Sequence, residues 1–335
     1  MQFTSIGDLS HSFQMRNHNT RIKQEFIQLS ETLASGQHSD MSKELNGEFS
    51  DLASVERSIK SLLSHRTTAA ETTTLLETAQ ISLETIQDLG ASLGPSLISA
   101  GNSAHPAILR TTAADSEQKF DSVIASLNVR IADRSVFSGM ATDKSALLDS
   151  KEILDEVRVL VSSLTTIEDV VNAVGSWFND PGGGYETLAY QGSDQPLAPI
   201  PISATEEVNF DVTAESTALR DTLKSFVLAA ISVDLPLLST NELQAGLMKE
   251  AGELMLTSQS DIAILRADIG AKEAYTSSAM ARNEASLSSF KIMQTEYYSA
   301  DPYETATRLE VAQTQLEAVY TLTARISRLS LADYL

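Results

Sequence analysis

The chain has 335 residues and no cysteine, and 24 Lys and Arg stand against 45 Asp and Glu for a formal net charge of -21. That balance excludes nucleic acid as the main partner, because phosphate binding needs cations. It argues equally against an anionic membrane surface, and the missing cysteines remove disulfides, thiolate metal sites and cysteine nucleophiles together.

Apolar residues make up 42% of the chain but aromatics only 6%, with one tryptophan, Trp177, so a core would rest on Leu, Ile, Val and Ala, as in helix bundles. The length suits two or three domains. The opening MQFTSIGDLSHSF has neither a basic segment nor a continuous apolar run, and does not read as a Sec signal. The most apolar stretch, Phe226 to Leu238, is short and carries Asp234 and Pro236, so it does not span a bilayer.

Phe13, Ile22, Phe26, Leu29 and Leu33 lie near helical spacing, and Ser35-Gly36 reads as the stop of a first amphipathic helix. Polar residues 36–48 read as a connector. From Leu52 to Ile86 apolar positions keep close to a 3.5-residue period, predicting a long helix that ends near Gly90 to Pro95, where Gly94-Pro95 should break it. A further helix is predicted over 106–132, passing into a short strand and turn at 135–139.

Residues 141–240 have another texture. The pattern predicts helices over 144–164, 166–178 and 216–231. Strands are predicted at 185–191, 197–203 and 207–212, with the Asn179–Gly184 loop as a flexible hairpin connector. This is a small mixed α/β insert. The helical period then returns from Thr240 to Tyr298, although Gly246, Gly252 and Gly270 each cost roughly 1 kcal/mol against Ala in a helix interior, so this rod needs packing support. A last helix starts at Pro302 behind an Asp301 cap. Its stripe runs through Leu309, Ala312, Leu316, Val319, Thr323, Ile326 and Leu329 in steps of three and four, as a coiled-coil seam does.

The layout is palindromic: terminal helix, rod, insert, rod, terminal helix. The simplest closure pairs the rods with each other and the ends with each other. The expected fold is mainly α, an elongated antiparallel helical rod or coiled coil built from both termini, with the insert at its middle. The expected divisions are 1–40 with 300–335, 41–140 with 241–299, and 141–240.

Four segments carry a resemblance to the flagellin superfamily. They are LSETLASG at 29–36, NVRIADRSVFSGM at 128–140 followed by Thr142, YQG at 190–192, and LRADIG at 265–270 together with the closing SLADYL. The order and spacing are most similar to the hook-associated protein 3 family, the hook–filament junction proteins of bacterial flagella. The chain departs from the family after Gly36, where Gln37-His-Ser-Asp40 replaces the usual basic residue and Pro-Ser-Asp-Asp-Pro turn.

The resemblance implies a secreted structural subunit exported by the flagellar type III apparatus, a route that a cysteine-free chain suits. Its partners would be copies of itself in a helical ring, hook-associated protein 1, flagellin, and a cytosolic export chaperone over the C-terminal stripe. Phe13, Ile22, Phe26, Leu29 and Leu33 would face Leu309, Leu316, Val319, Ile326 and Leu329 as the assembly seam, with ordinary monomer core as the other reading. Arg325 and Arg328 read either as side chains lying over a local stripe or as contacts to neighbouring acidic groups.

Catalytic readings fail one by one. Pro181-Gly182-Gly183-Gly184 lacks the Lys-Ser/Thr of a phosphate loop, and Val136 spoils a nucleophile elbow around Ser138. His11, His18, His38, His65 and His105 form no i, i+4 pair; His11 and His18, seven residues apart, could share a helix face but read better as solvated. Glu206, Glu207 and Asp121 lack an apolar pocket beside a base. No enzyme, cofactor or metal is expected. The other readings are flagellin itself, the bulk filament subunit, and a cytoplasmic coiled-coil adaptor.

Overall fold

In a computed structural model, the structure describes residues 6–235 and 240–332. The chain divides into two compact units, residues 1–61 with 285–335, and residues 62–284. The fold is mainly α, as the periodicity predicts.

In the first unit, α1 (Ile6–Ser35) ends where Gly36 turns into positive φ, +70°, a conformation that favours glycine. The connector holds one short helical turn, α2 (Met41–Glu44), which Asp40 caps by accepting from the Lys43 N–H. The last helix, α9 (Pro302–Ala332), begins as expected: Asp301 Oδ1 accepts from the Tyr303 N–H at 2.8 Å and the Glu304 N–H at 3.2 Å. The Ala300 N–H donates to Gly36 O and the His38 N–H to Tyr298 O. That bridge sets the C-terminal end of α1 beside the N-terminal end of α9, so the two helices pack antiparallel.

The helix α3 (Ser50–Ser103) does not stop at Gly94-Pro95; it continues through Pro95. A proline inside a helix forfeits one hydrogen bond and costs about 3 kcal/mol, and packing here outweighs that cost. Gly94 has no Cβ to clash with the proline ring, and it faces the long helix α8 (Asn241–Tyr298) closely: an added Cβ would lie 3.1 Å from Leu256. At Gly101 a Cβ would meet the Ala245 carbonyl at 2.7 Å, and at Gly252 the Ile98 side chain at 2.9 Å. Gly94 and Gly252, which read in the sequence as costs to a helix, are thus positions of close helix approach.

Within the second unit the α3–α8 contacts run in opposite senses, from Arg66 with Glu284 and Thr73 with Met280, through Gln87 with Arg266, to Gly101 with Ala245. The pairing of the two rods is therefore antiparallel.

After α3, Pro106 opens α4 (Pro106–Leu127) behind His105, whose Nδ1 accepts from the Ala107 N–H. This helix ends five residues before the predicted Ala132, because a hairpin takes over. Strands β1 (Arg130–Ile131) and β2 (Arg134–Ser135) pair antiparallel around Ala132 and Asp133, both at positive φ, the turn that matches strand twist.

The insert is more helical than predicted. Asp149 caps α5 (Ser150–Val161), which is shorter than the expected 144–164, and Thr166 caps α6 (Ile167–Asn179). The expected strand at 185–191 is instead a π-helical turn, Tyr185–Ala189, so the Asn179–Gly184 loop joins two helical elements rather than a helix and a strand. The reason is packing: Tyr185 is fully buried against Phe178 and Trp177, and it donates a 2.5 Å hydrogen bond to Ala214 O. The other predicted strands shrink to β3 (Ile200–Pro201) and β4 (Glu207–Val208), one antiparallel pair. Then α7 (Thr217–Ile231), almost wholly buried, packs on α4 and α6 to form the main core with Phe120, Val123, Leu223 and Phe226.

Candidate functional site

The residues singled out as a seam lie on α1 and α9, which pack on each other. A line of positions seven apart, Ile22 and Leu29 on α1 and Thr305, Ala312 and Val319 on α9, is buried. Phe26, Leu309 and Leu316 are half-buried. Phe13 is 62% exposed and Leu33 38%, so these two stand outside the intrachain contact. The side chains of Ile326, Leu329 and Arg328, like that of His11, lie outside the described residues; Arg325 is exposed.

Sequence reasoning missed a second apolar set on the same helices. Ile27 on α1 and Tyr303, Val311, Tyr320 and Leu322 on α9 are all exposed, Val311 at 52% and Leu322 at 49%. Val311 and Leu322 are eleven residues apart, which returns to nearly the same helix face. A single-stripe reading hides them because they fall off the 3-4 seam.

The structure also joins two of the quoted segments, separated by about fifty residues of sequence. Gly139, at φ +59°, lies against the backbone carbonyls of Ser193 and Gln195, where a Cβ would come within 2.6 Å. The Ser193 N–H donates to Ser138 O, the Met140 N–H to Gln195 O, and the Gln191 N–H to Ala146 O. Asn128 clamps the same strip from the other side, accepting from the Leu147 N–H at 2.8 Å and donating to Leu147 O at 3.0 Å. Tyr190 folds over Gly192, and its hydroxyl donates to Ser193 O at 2.8 Å; burial pushes its pKa up to about 12. These residues build a joint, with no nucleophile–base pair among them.

Several of the remaining polar groups are occupied structurally. Asp121 accepts from the Ser150 hydroxyl at 2.7 Å, and Glu206 pairs with Arg282 at 2.5 Å. Burial works to lower the Arg158 pKa, but the hydrogen bonds its guanidinium donates to Glu117, Asp155 and Asp234 carry it above its ordinary value. Lys272 behaves likewise between Asp211 and Asp268. His18 and Arg21 contact each other at 3.0 Å. A cleft of about 550 Å³ lies among Thr72, Leu75, Ile131, Ser135, Leu197 and Ile200 in the second unit, and its lining includes no histidine. Among the described residues no group of three His, Asp or Glu is placed to hold a metal ion, and no helix is long and apolar enough to cross a membrane.

No family model matches the chain, and no curated protein matches it. Among solved structures, the chain is similar to a Vibrio parahaemolyticus protein provisionally described as a flagellar hook-associated protein. That likeness covers 71% of this chain and 95% of that one at 12% identity, with a TM-score of 0.41. At that level it assigns neither family nor activity to this chain.

Proposed function

We propose that the chain is a structural subunit of the bacterial flagellum that joins hook to filament through helical packing between copies. The observation that carries this reading is the exposed apolar set on the terminal helices: Phe13, Ile27, Val311, Tyr320 and Leu322 stand in solvent on a pair whose own buried line is narrow. Val311 and Leu322 share one face of α9 and Tyr320 lies on the opposite one, so the exposed apolar residues offer neighbours more than one face to cover. The quoted segments at 29–36, 128–140, 190–192 and 265–270 supply the flagellar context.

The mechanism is mechanical. Terminal helices bury their seam within the chain and their outer apolar residues against neighbours, and a heterologous contact of this kind propagates helically. The mixed region near 141–240 would tune packing between layers. The chain would be secreted, with hook-associated protein 1 and flagellin as neighbours and an export chaperone over the C-terminal helix beforehand.

Immunogold labelling of flagella from cells carrying the protein tests this directly. A narrow band at the distal end of the hook is the expected result. Label along the whole filament would instead mark a bulk filament subunit, and label confined to the cytoplasm would refute both.

A further inference from the structure

Three stretches of the α3–α8 pair in the second unit differ in what holds them. Toward residues 94–101 of α3, glycines bring the backbones together: Gly94 and Gly101 meet Leu256, Ala245 and Lys249, and Gly252 meets Ile98. Toward residues 69–73 the β3–β4 hairpin grips the pair. There Ile202 and Val208 pack with Ala69 and Ala279, the Asn283 amide donates to Ile202 O at 2.8 Å, and Lys272 reaches Asp211 at 2.5 Å.

The stretch between, 80–90 of α3 with 259–270 of α8, lacks the hairpin, and its one close glycine, Gly90, meets only the side chains of Gln259 and Met255. One flank keeps apolar contacts through Leu83, Ile86, Ile262 and Ile269. The other flank is a polar line at seven-residue spacing, Gln80 and Gln87 on α3 with Gln259 and Arg266 on α8. Arg266 reaches Gln87 at 2.6 Å and Glu84 at 3.5 Å, yet its Nε has no protein partner. Both amide atoms of Gln259 and Oε1 of Gln80 are shut away without a protein partner either. Gly270 has open space around it.

These four groups flank the knob positions themselves, which Leu76, Leu83, Ile86, Ile262 and Ile269 fill and bury, so they line the edge of the helix contact. Shut-away amides without partners weaken the interface they sit in, and a helix glycine with no packing reason lowers local helix strength.

We infer that residues 80–90 and 259–270 form a compliant joint in the α3–α8 pair, at which the helices change their mutual packing while the glycine-locked and hairpin-clamped stretches hold. The consequence is conformational: bending or twisting of the pair would concentrate at one place rather than spread along it. This inference does not depend on what the chain assembles with.

Hydrogen–deuterium exchange on the full chain tests it. Amides in 80–90 and 259–270 should exchange at least tenfold faster than those in 94–101 and 272–283. Gln80→Leu with Gln259→Leu should slow the joint at least tenfold and leave both flanks unchanged. Gly270→Ala adds a methyl group into open space and should slow 266–273 about fivefold; it serves as the independent variant should the leucines disturb the fold. Native exchange in the joint as slow as in its flanks would overturn the inference, as would fast exchange that survives the glycine substitution.

Discussion

The two compact units spend their apolar residues in opposite ways. The second unit buries Phe120, Phe137, Phe178, Tyr185, Phe210 and Phe226 almost completely, with α7 wrapped on nearly every side. Among the described residues of the first unit no aromatic is buried: Phe13, Tyr303 and Tyr320 are exposed, and Phe26 is half-buried. Each of its terminal helices has one neighbouring helix to cover it, so one line of side chains is sheltered and the rest face water. The second unit can be stable on its own core, whereas the first carries the apolar surface expected of a part completed by neighbours.

The largest test sets the two cores against each other. Phe120→Ala should cost about 3–5 kcal/mol in urea unfolding, and Ile22→Ala in the terminal pair about 2 kcal/mol, since a two-helix contact relaxes around the gap more easily. Equal losses would erase the contrast.

A second test uses pH on the second unit alone. Burial raises the pKa of Tyr185 far above its ordinary value. The unfolded chain therefore releases the Tyr185 proton first, so this contribution is intact below about pH 10 and falls as pH rises further toward the folded value. Tyr185→Phe should flatten the alkaline limb of a stability–pH curve. At neutral pH it should cost roughly 1–2 kcal/mol, because Ala214 O loses its donor. An unchanged alkaline limb would show that the hydroxyl is not sealed in.

The smallest effect on folding belongs to the outer face of the terminal pair. Phe13→Ser with Leu322→Ser should shift monomer stability by no more than about 0.5 kcal/mol each. Filament attachment in cells should nevertheless be lost and flagellin shed to the medium. Normal filaments from that double variant would move the assembly contact elsewhere.

Much of the helical frame was readable from residue spacing. Gly36 ends α1, Asp301 and Pro302 start α9, the helices predicted over 166–178 and 216–231 match α6 and α7 to within a residue, and the heptad-like periods predicted two paired rods. These features are local: a cap, a positive φ or a repeating face acts over one or two turns. The errors share the opposite character. Gly94-Pro95 reads as a break until α8 is known to lie against it. Tyr185–Ala189 reads as a strand after the glycine-rich loop until Trp177 and Phe178 are known to enclose Tyr185.

The candidate surface was half legible for the same reason. A 3-4 stripe on α9 picks out Leu309, Leu316 and Val319, but which apolar residues stay uncovered depends on how many helices surround α9, and no local rule counts neighbours. Phe13 was read as a member of the seam and stands in solvent, while Val311 drew no notice in the sequence, Leu322 read only as part of the local stripe around Arg325 and Arg328, and both stand there too.

By itself the sequence determined the long helices, the Gly36 stop and the Asp301 cap, the pairing of rods and ends, and the lack of cysteine chemistry, because these follow from residue type and short-range periodicity. Only the tertiary structure decided which glycines are contacts, where the segments at 128–140 and 190–192 meet, which polar groups lie between α3 and α8, and which apolar side chains are left outside. Those outcomes depend on residues far apart in the chain coming within a few ångströms of one another.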